Sequence, residues 1–452
     1  MPERKLPLKD IVAFAAPAIG LGYMYLLVAL YVMKYSTDVL LIAPALMGII
    51  FSASRILDAF SDPLIGFLSD RTKSRYGRRR VWMLASIVPT VALFYMIFVQ
   101  PAGLGGSELS LWMAVAIIGF YLTITLCFIP HMSLGAELAS DYHERSRLYG
   151  YRHSAYTLGS ILALYSMQMF IMAEQESKAA VQETVEQYAI LAGSIFALLV
   201  FFAVVRLREK SEFMNKAKKN AFSTIKDVWR NPHAKLLLVV TFIEHIGSAA
   251  IGVLTLYIAH YILGRPLMAV WVILCYMVPS ALSVPLWIPL SRRIGKIRLW
   301  RYSMLLTGFS FGGMFLLMYV DGDLQLYFMC ALAAAAGTSA GCGGTLSPSV
   351  QSDVIDYDEL VTGERKEGAY FAAWHFVYKS AYGVMLLITG FSLQIAGFVP
   401  NIEQSDAVKY TMLTLYGLLP LVCYLIGAML FTRFKLDEQS HSQIRSSMAS
   451  DS

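Results

Sequence analysis

Apolar stretches near or above 20 residues, each closed by a charged or Pro/Gly-rich connector, recur twelve times along the chain. About 20 apolar residues in a helix cross a hydrocarbon core, so each stretch predicts one membrane span. The expected spans are 11–33, 44–69, 81–100, 109–139, 148–172, 188–207, 235–262, 267–290, 299–320, 324–350, 369–398 and 408–433. Several exceed the hydrocarbon thickness and are expected to tilt or kink, with Pro63, Pro130, Pro279, Pro285 and Pro289 as kink positions. The charged segment Met1 to Asp10 runs into a full-length span with no small-residue cleavage site, which argues against a removable signal peptide.

The connectors are sorted by charge. Alternate ones, beginning with the N-terminal segment, hold 30 of the 37 Lys and Arg residues, and the others hold only Lys34, Lys178, Arg265 and Lys409. By the positive-inside rule both termini are expected in the cytoplasm, and the protein is expected to be multi-pass in the cell inner (plasma) membrane. The composition agrees with lipid as solvent: 57% apolar, 15% charged, mean hydropathy +0.56. It excludes a disordered or collagen-like chain and disfavours a soluble enzyme. The net charge of +6 follows topology, so no nucleic-acid partner is expected. Cys127, Cys275, Cys330, Cys342 and Cys423 all lie in apolar stretches, without disulfide or zinc spacing.

The longest polar stretch, Arg206 to Lys235, divides the spans six and six, and its apolar positions Phe213, Phe222, Ile225, Val228 and Trp229 suit an amphipathic helix on the inner face. The expected organisation is an N-terminal six-helix bundle (1–207), a cytoplasmic linker (208–234), a C-terminal six-helix bundle (235–434) and a cytoplasmic tail (435–452). The halves echo one another: Arg75, Gly77 and Arg78 follow the second span as Arg293, Gly295 and Lys296 follow the eighth. A duplicated, all-α transporter fold would show this.

An ionised side chain within a span costs at least about 2.5–3.5 kcal/mol, so each needs a partner, water or a function. The second span carries Arg55, Asp58 and Asp62 on one helical face. Two carboxylates four residues apart either share a proton or hold a cation, so Asp58 and Asp62 are read as a Na⁺ or H⁺ site. By helical rise Asp62 and Asp58 lie about 10 and 16 Å from the inner end of their span, Thr125 about 21 Å and Lys379 about 15 Å from theirs. Thr125 can supply a hydroxyl to a bound Na⁺, Ser61 adjoins Asp62, and the Lys379 ammonium can pair with the carboxylates when the cation is absent.

Further motifs carry a resemblance. Arg55, Asp58, Asp62, Pro63 and Gly66 lead into Asp70, Arg71, Thr72, Ser74, Arg75, Tyr76, Gly77 and Arg78. Tyr23 to Tyr25, Thr37 to Val39, Asp141 to Arg145 with Arg152 beyond, and Asp353, Asp356 and Tyr357 through Glu367 and Gly368 to Lys379 continue the pattern. Over essentially the whole chain this resembles the glycoside–pentoside–hexuronide:cation symporters, the melibiose-permease branch of the major facilitator superfamily. The resemblance implies twelve transmembrane helices in two bundles, alternating access and coupling of a small solute to a cation, with no cofactor. It assigns Asp58, Asp62 and Thr125 to the cation site, Lys379 to the essential lysine of helix eleven, and Arg152 to the sugar pathway. Tyr23 belongs to the helix-one run that carries the resemblance and is carried as solute-binding.

The departures concern the solute. Galactoside carriers of the family have an acid in helix one and another before the Ile-Pro of helix four; here Ala16 and Phe128 stand there, His131 and Met132 follow Pro130, and Gly344 takes a helix-ten aromatic position. Trp374, His375 and Tyr378 are the replacement solute-binding candidates, Trp374 to stack on a sugar face and His375 with Arg152 to meet a carboxylate or sulfate. Glu244 and His245 on the seventh span are left without an assigned role. Gly337, Gly341, Gly343 and Gly344 read as close-approach positions between helices. Asp353 and Asp356 with Asp70, Arg71, Arg75, Gly77 and Arg78 are expected to form the cytoplasmic gate. The chain is thus expected to be a monomeric cation-coupled importer of a sugar, glycoside or sugar acid, with a lysophospholipid-like amphiphile as the alternative cargo. No Ser-His-Asp, His-Glu-x-x-His or paired-Cys arrangement in the spans supports an enzyme.

Overall fold

The computed structural model describes residues 6–138, 142–209, 228–362, 367–434 and 436. Phe213, Phe222 and Ile225 of the expected amphipathic helix and most of the tail lie outside them, as does the side chain of Asp70. Among the described residues twelve helices are long and apolar enough to cross a membrane: α1 (Leu8–Leu30), α2 (Pro44–Ser69), α3 (Arg80–Phe98), α4 (Gly106–Gly135), α5 (Tyr151–Glu176), α6 (Lys178–Arg206), α7 (Pro232–Tyr261), α8 (Pro266–Trp287), α9 (Lys296–Tyr319), α10 (Asp323–Thr362), α11 (Ala373–Ile395) and α12 (Asp406–Arg433). The protein is an all-α, multi-pass membrane protein. Helices satisfy every backbone group internally, which is why this sequence chooses them in lipid.

Two compact units divide the chain, Met1–Lys219 and Asn220–Ser452. In the first, α1 packs on α5 and α6, α2 on α4, and α3 on α4 and α6; in the second, α7 packs on α11 and α12, α8 on α10, and α9 on α10 and α12. Adding six to each helix number converts one set into the other, so the loop echo belongs to a repeated six-helix unit. Gly77 and Gly295, the matched glycines of that echo, both take the left-handed backbone, at φ 99° and 88°. In each loop a side chain would be strained.

Several boundaries differ from expectation for local reasons. The first helix breaks at Ala16, before Pro17, and after α1 a π turn spans Tyr35–Val39. The break in α8 falls at Ser283, and Pro285 opens the new segment in its first turn, where its missing N–H costs nothing. Pro63 and Pro130 sit inside continuous helices. Helix α10 runs to Thr362, about three turns beyond the expected end, so the gate candidates Asp353 and Asp356 stand on a helix. Lys34, read as a connector base, is 1% exposed, bonded to Asp38 at 3.0 Å and to Glu174 at 2.6 Å. Burial without those two carboxylates would be prohibitive for an ammonium.

Glycine sets the closest crossings. A Cβ on Gly22 of α1 would collide with the Tyr156 carbonyl of α5, and one on Gly159 of α5 with the Ile19 carbonyl of α1. In the second unit Gly337 and Gly341 of α10 meet the Tyr276 and Ser280 carbonyls of α8 in the same way. Gly159→Val is therefore expected to destabilise the first unit by about 1–3 kcal/mol, as overpacking does, read as a lower Tm of the purified protein; an unchanged Tm would mean that α1 and α5 can part without cost.

Candidate functional site

The intramembrane carboxylates of α2 converge on one hydroxyl of α4. Thr125 Oγ1 lies 2.7 Å from Asp58 Oδ1 and 3.4 Å from Asp62 Oδ1, with both Asp58 and Thr125 fully buried. The same hydroxyl is 3.0 Å from its own helix carbonyl at Tyr121. Having one proton, it donates to one acceptor at a time, so a cation that takes the carboxylate oxygens leaves the proton an alternative partner. Two acids and a hydroxyl are oxygen donors suited to a small hard cation.

One turn before Thr125, Tyr121 completes the wall. Arg55 donates from Nη2 to the Tyr121 hydroxyl at 2.6 Å, and its guanidinium carbon lies 3.9 Å from that ring's centroid. The ring of Tyr25 stands 6.1 Å from Tyr121 and 6.0 Å from Phe128. The sequence reading passed over Tyr121; its signal was the spacing of four residues to Thr125, the same-face relation that Arg55, Asp58 and Asp62 share. Ser61 donates back to the Asp58 carbonyl at 3.0 Å, so its proton serves its own helix.

Around Arg152 of α5 the expected solute residues separate. The Arg152 guanidinium carbon is 5.4 Å from the Phe128 ring centroid, where the family's acid would stand. Its Nε and Nη2 are buried and have no hydrogen-bond partner among the described residues. Tyr23 donates to Ser166 Oγ at 2.8 Å and is 9% exposed, a helix-packing arrangement. His131 is buried with Nε2 2.7 Å from the Phe14 carbonyl.

In the second unit Tyr378 of α11 meets His245 of α7 edge to face, 4.6 Å between centroids, and His245 Nδ1 lies 2.8 Å from the Thr241 carbonyl. His375 is exposed, and Lys379, partly buried, stands one turn further along the same helix. Trp374 is turned elsewhere: it lines a small apolar cavity with Leu238, Gln351, Val354 and Tyr370.

Each of the loops expected to gate the cytoplasmic side has described partners in its own half. Glu209, absent from the sequence reading, accepts from the backbone N–H groups of Arg78, Arg79 and Arg80 at 3.0, 3.0 and 2.9 Å. A carboxylate at the N-terminus of α3 is favoured by the unpaired amides and the helix dipole. A Cβ on Gly77 would strike that carboxylate. Arg71 lies over the Phe67 ring at 4.0 Å, and Arg75 donates to the Tyr76 hydroxyl at 2.9 Å. In the second half Lys296, the base of the echoed motif, pairs with Asp353 at 2.9 Å, and Asp356 is buried on the same helix.

Residues 13–438 match the family model described as MFS/sugar transport protein. The isoprimeverose transporter of Lactiplantibacillus pentosus is 25% identical over 98% of this chain and 93% of its own. The sodium-dependent lysophosphatidylcholine symporter 1 of Mus musculus is 25% identical over 90% of this chain and 82% of its own. The crystal structure of a D-xylose–proton symporter superposes with TM-score 0.66 at 14% identity, covering 93% of this chain and 97% of that one, a likeness of fold alone.

Thr125 can be tested against a neighbour on its own helix. Thr123 turns its hydroxyl to the Phe120 carbonyl at 3.2 Å. If the ion is Na⁺, Thr125→Val should move the Na⁺-dependent rise in Tm of purified protein to at least about tenfold higher Na⁺ concentration, since it removes one oxygen donor from the candidate site. Thr123→Val should leave it unchanged, and equal behaviour of the two variants would remove Thr125 from the site.

Proposed function

The chain belongs to the MFS/sugar transport protein family, and from that premise we propose that it is a symporter importing an anionic sugar or sugar-acid oligomer by alternating access, coupled to Na⁺ or H⁺ at Asp58 and Asp62. It is a transporter and not an enzyme. The convergence of Asp58, Asp62 and Thr125 carries the coupling. With the cation absent, paired carboxylates in a membrane bundle need a counter-charge, and Lys379 is assigned that role. Cation binding drives the cycle only through its different affinity for the two conformations.

The solute class rests on Arg152. A neutral galactoside would lose roughly two charge-assisted hydrogen bonds at Ala16 and Phe128, about 1.5–3 kcal/mol each. A carboxylate would instead find guanidinium nitrogens that have no other hydrogen-bond partner among the described residues. His375 and Tyr378 belong to the same proposed path; Trp374, in its apolar cavity, and Tyr23, bonded to Ser166, act as packing residues beside it. The second reading, an amphiphile with an anionic headgroup, is favoured by the same arginine beside the apolar Phe128 and by the lysophosphatidylcholine symporter among the relatives. Both termini are assigned to the cytoplasm by the basic connectors.

Asp58→Asn and Asp62→Asn are each expected to abolish accumulation of solute against its gradient in cells while expression and facilitated exchange persist. Accumulation by both variants would place the coupling ion elsewhere. For the solute, purified protein in Na⁺ at fixed pH should bind a uronide at least tenfold more tightly than its neutral parent sugar, and Arg152→Gln should erase the difference. Tighter binding of the neutral sugar, or competition by a lysophospholipid but by neither sugar, would replace the anionic-sugar reading.

A further inference from the structure

Glu244 is an intramembrane acid that the coupling scheme leaves unused. It lies twelve residues into α7, so the span places it about 18 Å from the first residue of that helix. Among the described residues it makes no ion pair. Its surroundings come from four other helices and are uncharged. The hydroxyls of Tyr276 on α8 and Tyr424 on α12 and the thiol of Cys342 on α10 stand within electrostatic reach of its carboxyl. Trp300 of α9 lies alongside, its ring 2% exposed and its indole N–H without an acceptor at hydrogen-bonding geometry.

The packing makes room for this group. A Cβ on Gly343 of α10 would stand 3.7 Å from Trp300 Nε1 and 3.8 Å from Glu244 Oε1, so the glycine backbone borders both. Thr241, on the same helix three residues earlier, is 1% exposed with its hydroxyl also unpartnered. The remaining titratable groups nearby have partners of their own: His245 on its own helix bonds to the Thr241 carbonyl, Tyr378 of α11 covers the His245 ring, and Cys423 adjoins Tyr424 on α12. His375 and Lys379 of α11 interact with one another.

We propose that Glu244 is a proton-binding site of the second six-helix unit, separate from the cation pair at Asp58 and Asp62. A carboxyl in a membrane interior with no cation beside it is carried as the neutral acid, and the Trp300 indole N–H alongside is a donor for the carboxylate when the proton leaves. Na⁺ is not the ligand this cluster suits, because the Trp300 N–H would face it with a positive hydrogen. Glu244 itself is half-buried, which lets its proton exchange with water while the Trp300 indole nitrogen stays closed to solvent.

Infrared difference titration of purified protein in lipid nanodiscs, from acid to alkaline pH without solute, tests this directly. The carboxylic-acid carbonyl band is expected to contain a component that is missing in Glu244→Gln, displaced in Glu244→Asp, and retained in the Asp58→Asn/Asp62→Asn double variant. Adding Na⁺ at fixed pH should leave that component unchanged while altering the one that the double variant lacks. Trp300→Phe, which keeps the ring and removes the N–H, should shift the frequency of the Glu244 component. Superimposable spectra of wild type and Glu244→Gln, a component abolished by Na⁺, or indifference to Trp300→Phe would each overturn the proposal. A Na⁺-sensitive component confined to Asp58 and Asp62 would leave the coupling scheme standing while this one falls.

Discussion

Hydrocarbon offers no water to a stranded charge, and this constraint orders the structure from its helices to its site. It forces twelve self-satisfying helices from the backbone. It also makes every buried ionic side chain conspicuous, because each must be matched inside the protein. Lys34 is matched by Asp38 and Glu174, Arg55 by the hydroxyl and ring of Tyr121, and Asp58 by Thr125. Arg152 and Glu244 are matched least, and their nearest described neighbours are aromatic rings, hydroxyls and a thiol. In a solvent this unforgiving, a weakly matched ionisable side chain is a candidate for a functional role.

The two halves solve the constraint with one plan. Five helix pairings recur with the same relative order, and both turning glycines recur with the same handedness of backbone. Yet the acids are distributed differently: α2 of the first unit carries Asp58 and Asp62, whereas α7 of the second carries Glu244 and its α8 carries none. Duplication preserved the scaffold, where packing tolerates little, and let the chemistry of the lining faces diverge.

Much of this was legible in the sequence because hydrophobic length and charge sorting are properties of contiguous residues. Helix positions, the loop echo and the face shared by Arg55, Asp58 and Asp62 needed only periods of 3.6 and counts of charge. The partner of Asp58 was also accessible, through Thr125. What escaped were matches between residues far apart in the chain and carried by ordinary side chains: Glu209 on the amides of Arg78 to Arg80, Lys296 on Asp353, Tyr121 under Arg55. A carboxylate that caps backbone amides leaves no charge pattern at its target, since every residue carries an amide. Lys34 misled for a related reason, because a lysine at the end of an apolar stretch looks like a connector base until its buried acids are known.

The glycine crossings impose a mechanical consequence. Where a glycine Cα rests against a carbonyl of the next helix, neither rod can slide without first separating, so α1 with α5 and α8 with α10 behave as spliced beams. The crossing of α2 and α4 is built otherwise: at Gly66 the neighbour is a methyl of Ile129, at a distance where a Cβ would meet ordinary contact at 3.6 Å. A methyl can rotate and yield where a carbonyl cannot. The pair of helices that carries Asp58, Asp62 and Thr125 is thus keyed less rigidly at this crossing than α1 and α5, whose glycines abut backbone carbonyls.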